Sequence, residues 1–114
     1  MLPWPKPPLT KNKRLHYHAE AKVRKQVHRD VMLMALSAKL PKGLGQVKID
    51  LWWEARIERR RDTDNMFDTM KPLIDGLVKY GLVEDDNADH VKSECHVVTG
   101  TRDICWMVVT PASW

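Results

Sequence analysis

The residues able to do chemistry are concentrated between positions 59 and 91. Arg59, Arg60 and Arg61 run directly into Asp62-Thr63-Asp64-Asn65, and a second acidic cluster, Glu84-Asp85-Asp86, follows after an amphipathic segment. Carboxylates hold hard divalent cations, and a cation so held lowers the pKa of a bound water and polarises a phosphoryl oxygen. Arginines hold the phosphates themselves. A basic run touching two acidic pairs therefore suits metal-dependent cleavage of a phosphodiester. Asp62 and Asp64 are separated by one residue, so in extended backbone their side chains share a face, about 7 Å apart at Cα. That spacing can share or flank Mg²⁺. Asp85 and Asp86 lie past the amphipathic segment, and a strand, helix and return of that length bring the two acidic ends together. Four neighbouring carboxylates repel, and a divalent cation is the simplest neutraliser. The three arginines could neutralise them instead, as an ion-pair network on a loop.

Other chemistries fit less well. Asp85-x-Asn87-x-Asp89 resembles the opening of a calcium loop, but an EF-hand needs glycine where His90 stands and glutamate where His96 stands. A zinc site from His16, His18, Cys95 and His96 lacks a recognised spacing, which leaves those histidines as surface or phosphate-facing groups. Neither a glycine-rich phosphate loop nor a nucleophile elbow is present, which argues against nucleotide-dependent and serine-hydrolase chemistry.

Length and charge bound the rest. A chain of 114 residues is expected to form one domain over 1–114, and 19 Lys plus Arg against 15 Asp plus Glu give a net charge of +4, which fits a polyanion partner. The sequence shows no apolar run near the roughly 18 residues of a membrane span, and M-L-P-W-P-K-P-P has no apolar stretch of the kind a secretory leader requires. A soluble, cytoplasmic protein with no membrane partner is expected. Cys95 and Cys105 sit symmetrically about Gly100, where a cross-strand bridge is conceivable. In a reducing compartment two small buried residues are the plainer reading.

The elements that must position these groups follow from periodicity. Residues 1–13 carry Pro3, Pro5, Pro7 and Pro8 and are expected to form an extended, partly solvated arm with at most a short edge strand. From Tyr17 to Leu40 neither Gly nor Pro occurs, and Val23, Val27, Val31, Met34 and Ala38 mark one face of a long basic helix stopped by Pro41 and Gly43. Val47, Ile49, Leu51, Trp53, Ala55 and Ile57 alternate with Lys48, Asp50, Trp52, Glu54, Arg56 and Glu58, the pattern of a half-buried strand. Glu54 on its polar face could point towards Asp62. Met70, Leu73, Ile74, Leu77 and Val78 predict a second helix with Pro72 in its first turn and Gly81 as its left-handed cap. Two strands, about 91–98 and 104–110, are expected as a hairpin through T-G-T-R-D. Trp53 and Trp106 are expected in the core, with Trp4, Trp52 and Trp114 as candidates for exposure and base stacking.

These residues resemble the RusA-type Holliday-junction resolvases, small phage and prophage endonucleases. The likeness runs over nearly the whole chain: L-P-W-P at the start, the strand V-K-I-D-L, the R-R-R-D-T-D-N junction, the helix ending I-D-G-L, and V-E-D-D-N. It implies a dimeric α/β (α+β) protein with a small mixed sheet and two principal helices. It implies cleavage of four-way DNA junctions by paired nicks, with Mg²⁺ or Mn²⁺. Carried over by position, Asp62, Asp64 and Asp86 would ligate the metal with Asp85 in support. Asn65 and Arg59 to Arg61 would contact DNA, and Lys71, ahead of Asp75, would be the functional lysine. At the position where better-known members place that lysine, three after the asparagine, this chain has Asp68, as a three-residue insertion after Asn65 would produce. A homodimer acting in the cytoplasm, that of the host for a phage protein, is the matching expectation. Two other readings share these residues: a non-catalytic branched-DNA-binding module, and a nuclease that prefers flaps or forks.

Overall fold

The computed structural model describes residues 2–5, 7–8, 17–55 and 66–113. The strand β1, Val47–Ala55, organises the molecule. Its period of two buries Val47, Ile49, Leu51 and Ala55 and turns Lys48, Asp50, Trp52 and Glu54 to the opposite face. β1 takes the centre of a three-stranded sheet, between β2 (Val91–Thr99), which pairs with it in parallel, and β3 (Ile104–Pro111), which pairs antiparallel. Parallel neighbours need a crossover. The helix α2, Phe67–Tyr80, provides it, and α1, Tyr17–Ser37, packs beside α2. The result is an α+β fold with two helices and a small mixed sheet, as expected from the sequence. Among the described residues no helix is long and apolar enough to cross a membrane.

The expected terminal hairpin does not form. β2 and β3 flank β1 on opposite sides, so Cys95 lies beside Leu51, Cys105 beside Trp53, and no disulfide joins them. The connection instead crosses the end of β1. The Gly100 amide donates to the Ala55 carbonyl (3.1 Å), and the Arg102 amide donates to Glu54 Oε2 (2.8 Å). Both edges of the most strongly alternating strand are thereby satisfied.

At the N-terminus Leu2 and Trp4 are buried, where a partly solvated arm was expected. The Leu2 amide donates to the Cys105 carbonyl (2.9 Å) and the Cys105 amide to the Trp4 carbonyl (3.1 Å), adding a short antiparallel bridge to the outer edge of β3. Trp4 Nε1 donates to Asp30 Oδ2 (2.9 Å), the polar partner a buried indole needs.

The helices end and begin differently from the periodicity. α1 stops three residues before Leu40: Lys39 adopts a left-handed φ of 55°, and the Leu40 amide donates back to Ala35 (3.0 Å). Its core stripe is Val27, Val31 and Ala35, with Lys22, Lys25 and Arg29 outward. α2 begins at Phe67, so Pro72 lies inside the helix rather than in its first turn. The missing N–H removes the bond residue 72 would donate to the Asp68 carbonyl. Burial of Met66, Met70, Leu73 and Leu77 on one stripe offsets that loss. Gly81, at φ 101°, caps α2 as expected, its amide shared between Leu77 and Val78. Gly76 faces α1 at a close approach: a Cβ there would sit 3.2 Å from the His28 carbonyl oxygen.

Candidate active site

Lys71 and Asp86 line one cavity of about 240 Å³, together with Phe67, Met70, Ile74 and Ser93. α2 projects Lys71 from its second turn, and the loop returning to β2 carries Asp86 back alongside it. That loop is built from its own side chains. Asp85 Oδ1 accepts the Asp86 amide (2.7 Å), Asp85 Oδ2 accepts from Asn87 Nδ2 (3.3 Å), and Asn87 Oδ1 accepts the Asp89 amide (3.0 Å). Such turns are what Asp and Asn favour. The Asp86 amide, with help from the Asn87 side chain, holds the Asp85 carboxyl below its usual range. Both oxygens of Asp85 thus hold the turn, while Asp86 stands exposed at the cavity. Arg59, Arg60, Arg61, Asp62, Asp64 and Asn65 lie outside the described residues; in sequence they run directly into Met66, the N-cap of α2.

A larger cavity of about 540 Å³ opens on the other side of Lys71, between α1 and α2, with Arg24, Lys25, His28, Asp68 and Asp75 on its walls. Asp68 therefore faces the α1–α2 groove beside Lys71. His28 Nδ1 lies 3.3 Å from Lys79 Nζ and accepts from that ammonium, which leaves the ring proton on Nε2. Nε2 is buried, 3.9 Å from Asp75 Oδ2. Burial, then the Lys79 charge, pushes the His28 pKa below its usual value, and the ring is neutral near pH 7.

The open face of the sheet holds a cluster that the sequence reading did not identify. Parallel register sets Asp50 directly across from Glu94, and His96 follows on the same face. His96 Nε2 lies 2.7 Å from Asp50 Oδ1 and 3.7 Å from Glu94 Oε2, and Lys48 Nζ approaches both carboxylates. Trp52 stacks on His96 at 4.1 Å between centroids, and Trp106 stacks on Trp52 at 5.8 Å. Trp106 is thus on the open face rather than in the core, and His96 is a hydrogen-bond partner of Asp50 rather than a bare surface group. Glu54, expected near Asp62, is engaged by Arg102. The only signal available in the sequence was the polar parity of β1; the strand at 91–98 was expected, but its parallel pairing with β1 was not legible.

These features define a small α+β domain in which a parallel β1–α2–β2 unit sets a lysine and a carboxylate over one cavity. No known family model matches the chain, and no curated protein matches it in sequence.

Proposed function

We propose that this protein is a divalent-metal-dependent endonuclease that cuts branched DNA, with four-way junctions resolved by paired nicks. The observation that carries the reading is Lys71 and Asp86 on one cavity, at the end of α2 entered directly from R-R-R-D-T-D-N. The RusA-type resemblance supplies the substrate class. Asp86 is an exposed carboxylate at a cavity rim, a hard oxygen donor of the kind Mg²⁺ or Mn²⁺ takes. With Asp62 and Asp64 it would hold the ion, and Asp85 supports it by fixing the turn. A bound ion of this kind supplies an activated water and a polarised phosphate.

Lys71 stabilises the negative charge that develops on the phosphoryl oxygens. Arg59 to Arg61, Asn65 and the exposed cations of α1 hold flanking phosphates, so affinity falls steeply with salt. A homodimer matches the two-fold symmetry of a four-way junction and offers two active sites for symmetric cuts. The cytoplasm, that of the host for a phage-encoded protein, is the proposed place of action.

The test is incubation with a labelled four-way junction, a flap, a fork and a linear duplex, with Mg²⁺ and with EDTA. Asp62→Asn, Asp86→Asn and Lys71→Ala variants run beside the wild type. Paired nicks in the junction alone, dependent on metal, abolished in the aspartate variants and slowed on the order of 10²-fold in Lys71→Ala, are expected. Tight junction binding without cleavage under any divalent metal would make the protein a binding module. Faster cutting of flaps or forks would reassign its substrate.

A further inference from the structure

We propose that the open face of the sheet carries a second divalent-metal site, for a zinc-class transition ion, made by Asp50, Glu94 and His96. One ligand atom from each lies within 4.8 Å of the others. Tetrahedral ligands at about 2.1 Å from zinc stand about 3.4 Å apart. Here His96 Nε2 is 2.7 Å from Asp50 Oδ1 and 3.7 Å from Glu94 Oε2, so each of these two separations lies within an ångström of that value. The same nitrogen already points at both carboxylates. Its ring is held by the Trp52 stack, itself backed by Trp106. The Asp50 side chain is only 13% exposed, whereas Glu94 at 57% is free to close on an ion from the solvent side. Two ligands of three are therefore oriented beforehand, which is what a metal site needs from its surroundings.

The donor set selects the ion. An imidazole nitrogen with two carboxylates favours zinc, nickel or cobalt over Mg²⁺ and Ca²⁺, which take oxygen. This site is separate in chemistry from the all-carboxylate set Asp62, Asp64 and Asp86, and does not depend on the function proposed above. Lys48 is the competitor: its ammonium lies 3.4 Å from Glu94 and 3.7 Å from Asp50, balancing their charge, and at 41% exposure it can swing out. An incoming dication replaces it.

Calorimetric titration of Zn²⁺ into EDTA-treated, desalted protein tests the site. One saturable equivalent is expected, weakened at least about tenfold in His96→Ala and in Glu94→Gln. Glu94→Gln changes an exposed side chain and guards against misfolding of the first variant. Asp86→Asn should keep the equivalent, and Lys48→Ala should bind several-fold tighter. A Zn²⁺ equivalent unaffected by Glu94→Gln, binding lost in Asp86→Asn, weaker binding in Lys48→Ala, or no saturation below about 1 mM would overturn the proposal and leave the cluster as an ion-pair network.

Discussion

Replacing Gly76 by alanine should loosen the helix pair on which the core depends. The added Cβ would meet the His28 carbonyl oxygen at 3.2 Å, His28 Cα at 3.3 Å and Val31 Cβ at 3.3 Å. Two of these are α1 backbone atoms, which no rotamer change can move, so the helices must separate by a few tenths of an ångström. Separation thins the contact along Val27, Val31, Leu73 and Leu77, all fully buried. Overpacking of this kind costs about 1–3 kcal/mol. Alanine returns about 1 kcal/mol through its better helix propensity. Because the obstacle is backbone, the upper part of the range applies, and a net loss of about 1–2 kcal/mol is expected. Unfolding entropy of about 2.1 cal/mol/K per residue makes that roughly 4–8 °C in Tm for a chain of 114 residues. Thermal melts followed by circular dichroism at fixed protein concentration provide the measurement. A variant as stable as the wild type would mean that α1 yields at His28 without cost, and the close-approach argument would fail.

Three other outcomes follow from the electrostatics and burial. The His28 pKa is lowered in the folded state, so below its usual 6.5 the unfolded chain takes up a proton that the folded one refuses. This contribution is complete above 6.5 and is lost as pH falls towards the folded value; His28→Gln should flatten the corresponding slope in urea midpoints between pH 7.5 and 5.5. Glu54 is held below 4.5, chiefly by the Arg102 side chain, so its contribution is present above 4.5 and lost as pH falls through the lowered value; Arg102→Ala, which keeps the backbone bond to Glu54, should reduce that acid-side loss in urea midpoints extended below pH 4.5. Burial pushes the Cys105 thiol up to about 12, so iodoacetamide at pH 8 should label it only in denaturant, as peptide mapping would show.

The legible parts of the fold were those with a single period. β1 alternates cleanly, and its register in the structure follows that alternation. α2 repeats its apolar stripe and ends on Gly81, as read. β3 misled because I-C-W-M-V-V is apolar on both parities, so nothing local says whether Cys105 or Trp106 faces the core. The arrangement buries Cys105 and leaves Trp106 half-buried on the open face, with Leu2 and Trp4 bonded to the Cys105 backbone, a contact between opposite ends of the chain. The start of α2 was hidden by Pro72, a local penalty outweighed by burying Met66 and Met70. T-G-T-R-D carried a turn signal without a partner: a turn closes a hairpin only when its strands are neighbours, and β1 had taken that place.

The same logic explains which parts of the site were legible. Asp86 was singled out through type and spacing, because a helix of known length ahead of it limits where the chain can return, whereas Lys71 was singled out only through the resemblance to the RusA-type resolvases. The pairing of Asp50 with Glu94 and His96 needs the parallel register of β1 and β2, which is invisible to any window along the chain. That register also explains why the two faces of the sheet differ in chemistry. The face under the helices must be apolar, and Asp86 stands outside it, exposed on the loop that follows α2. The open face is free to carry charge and imidazole on adjacent strands, where alternate residues project side by side. The two proposed sites therefore differ in donor chemistry, carboxylates alone against carboxylates with an imidazole, and should be distinguishable by which metal each prefers.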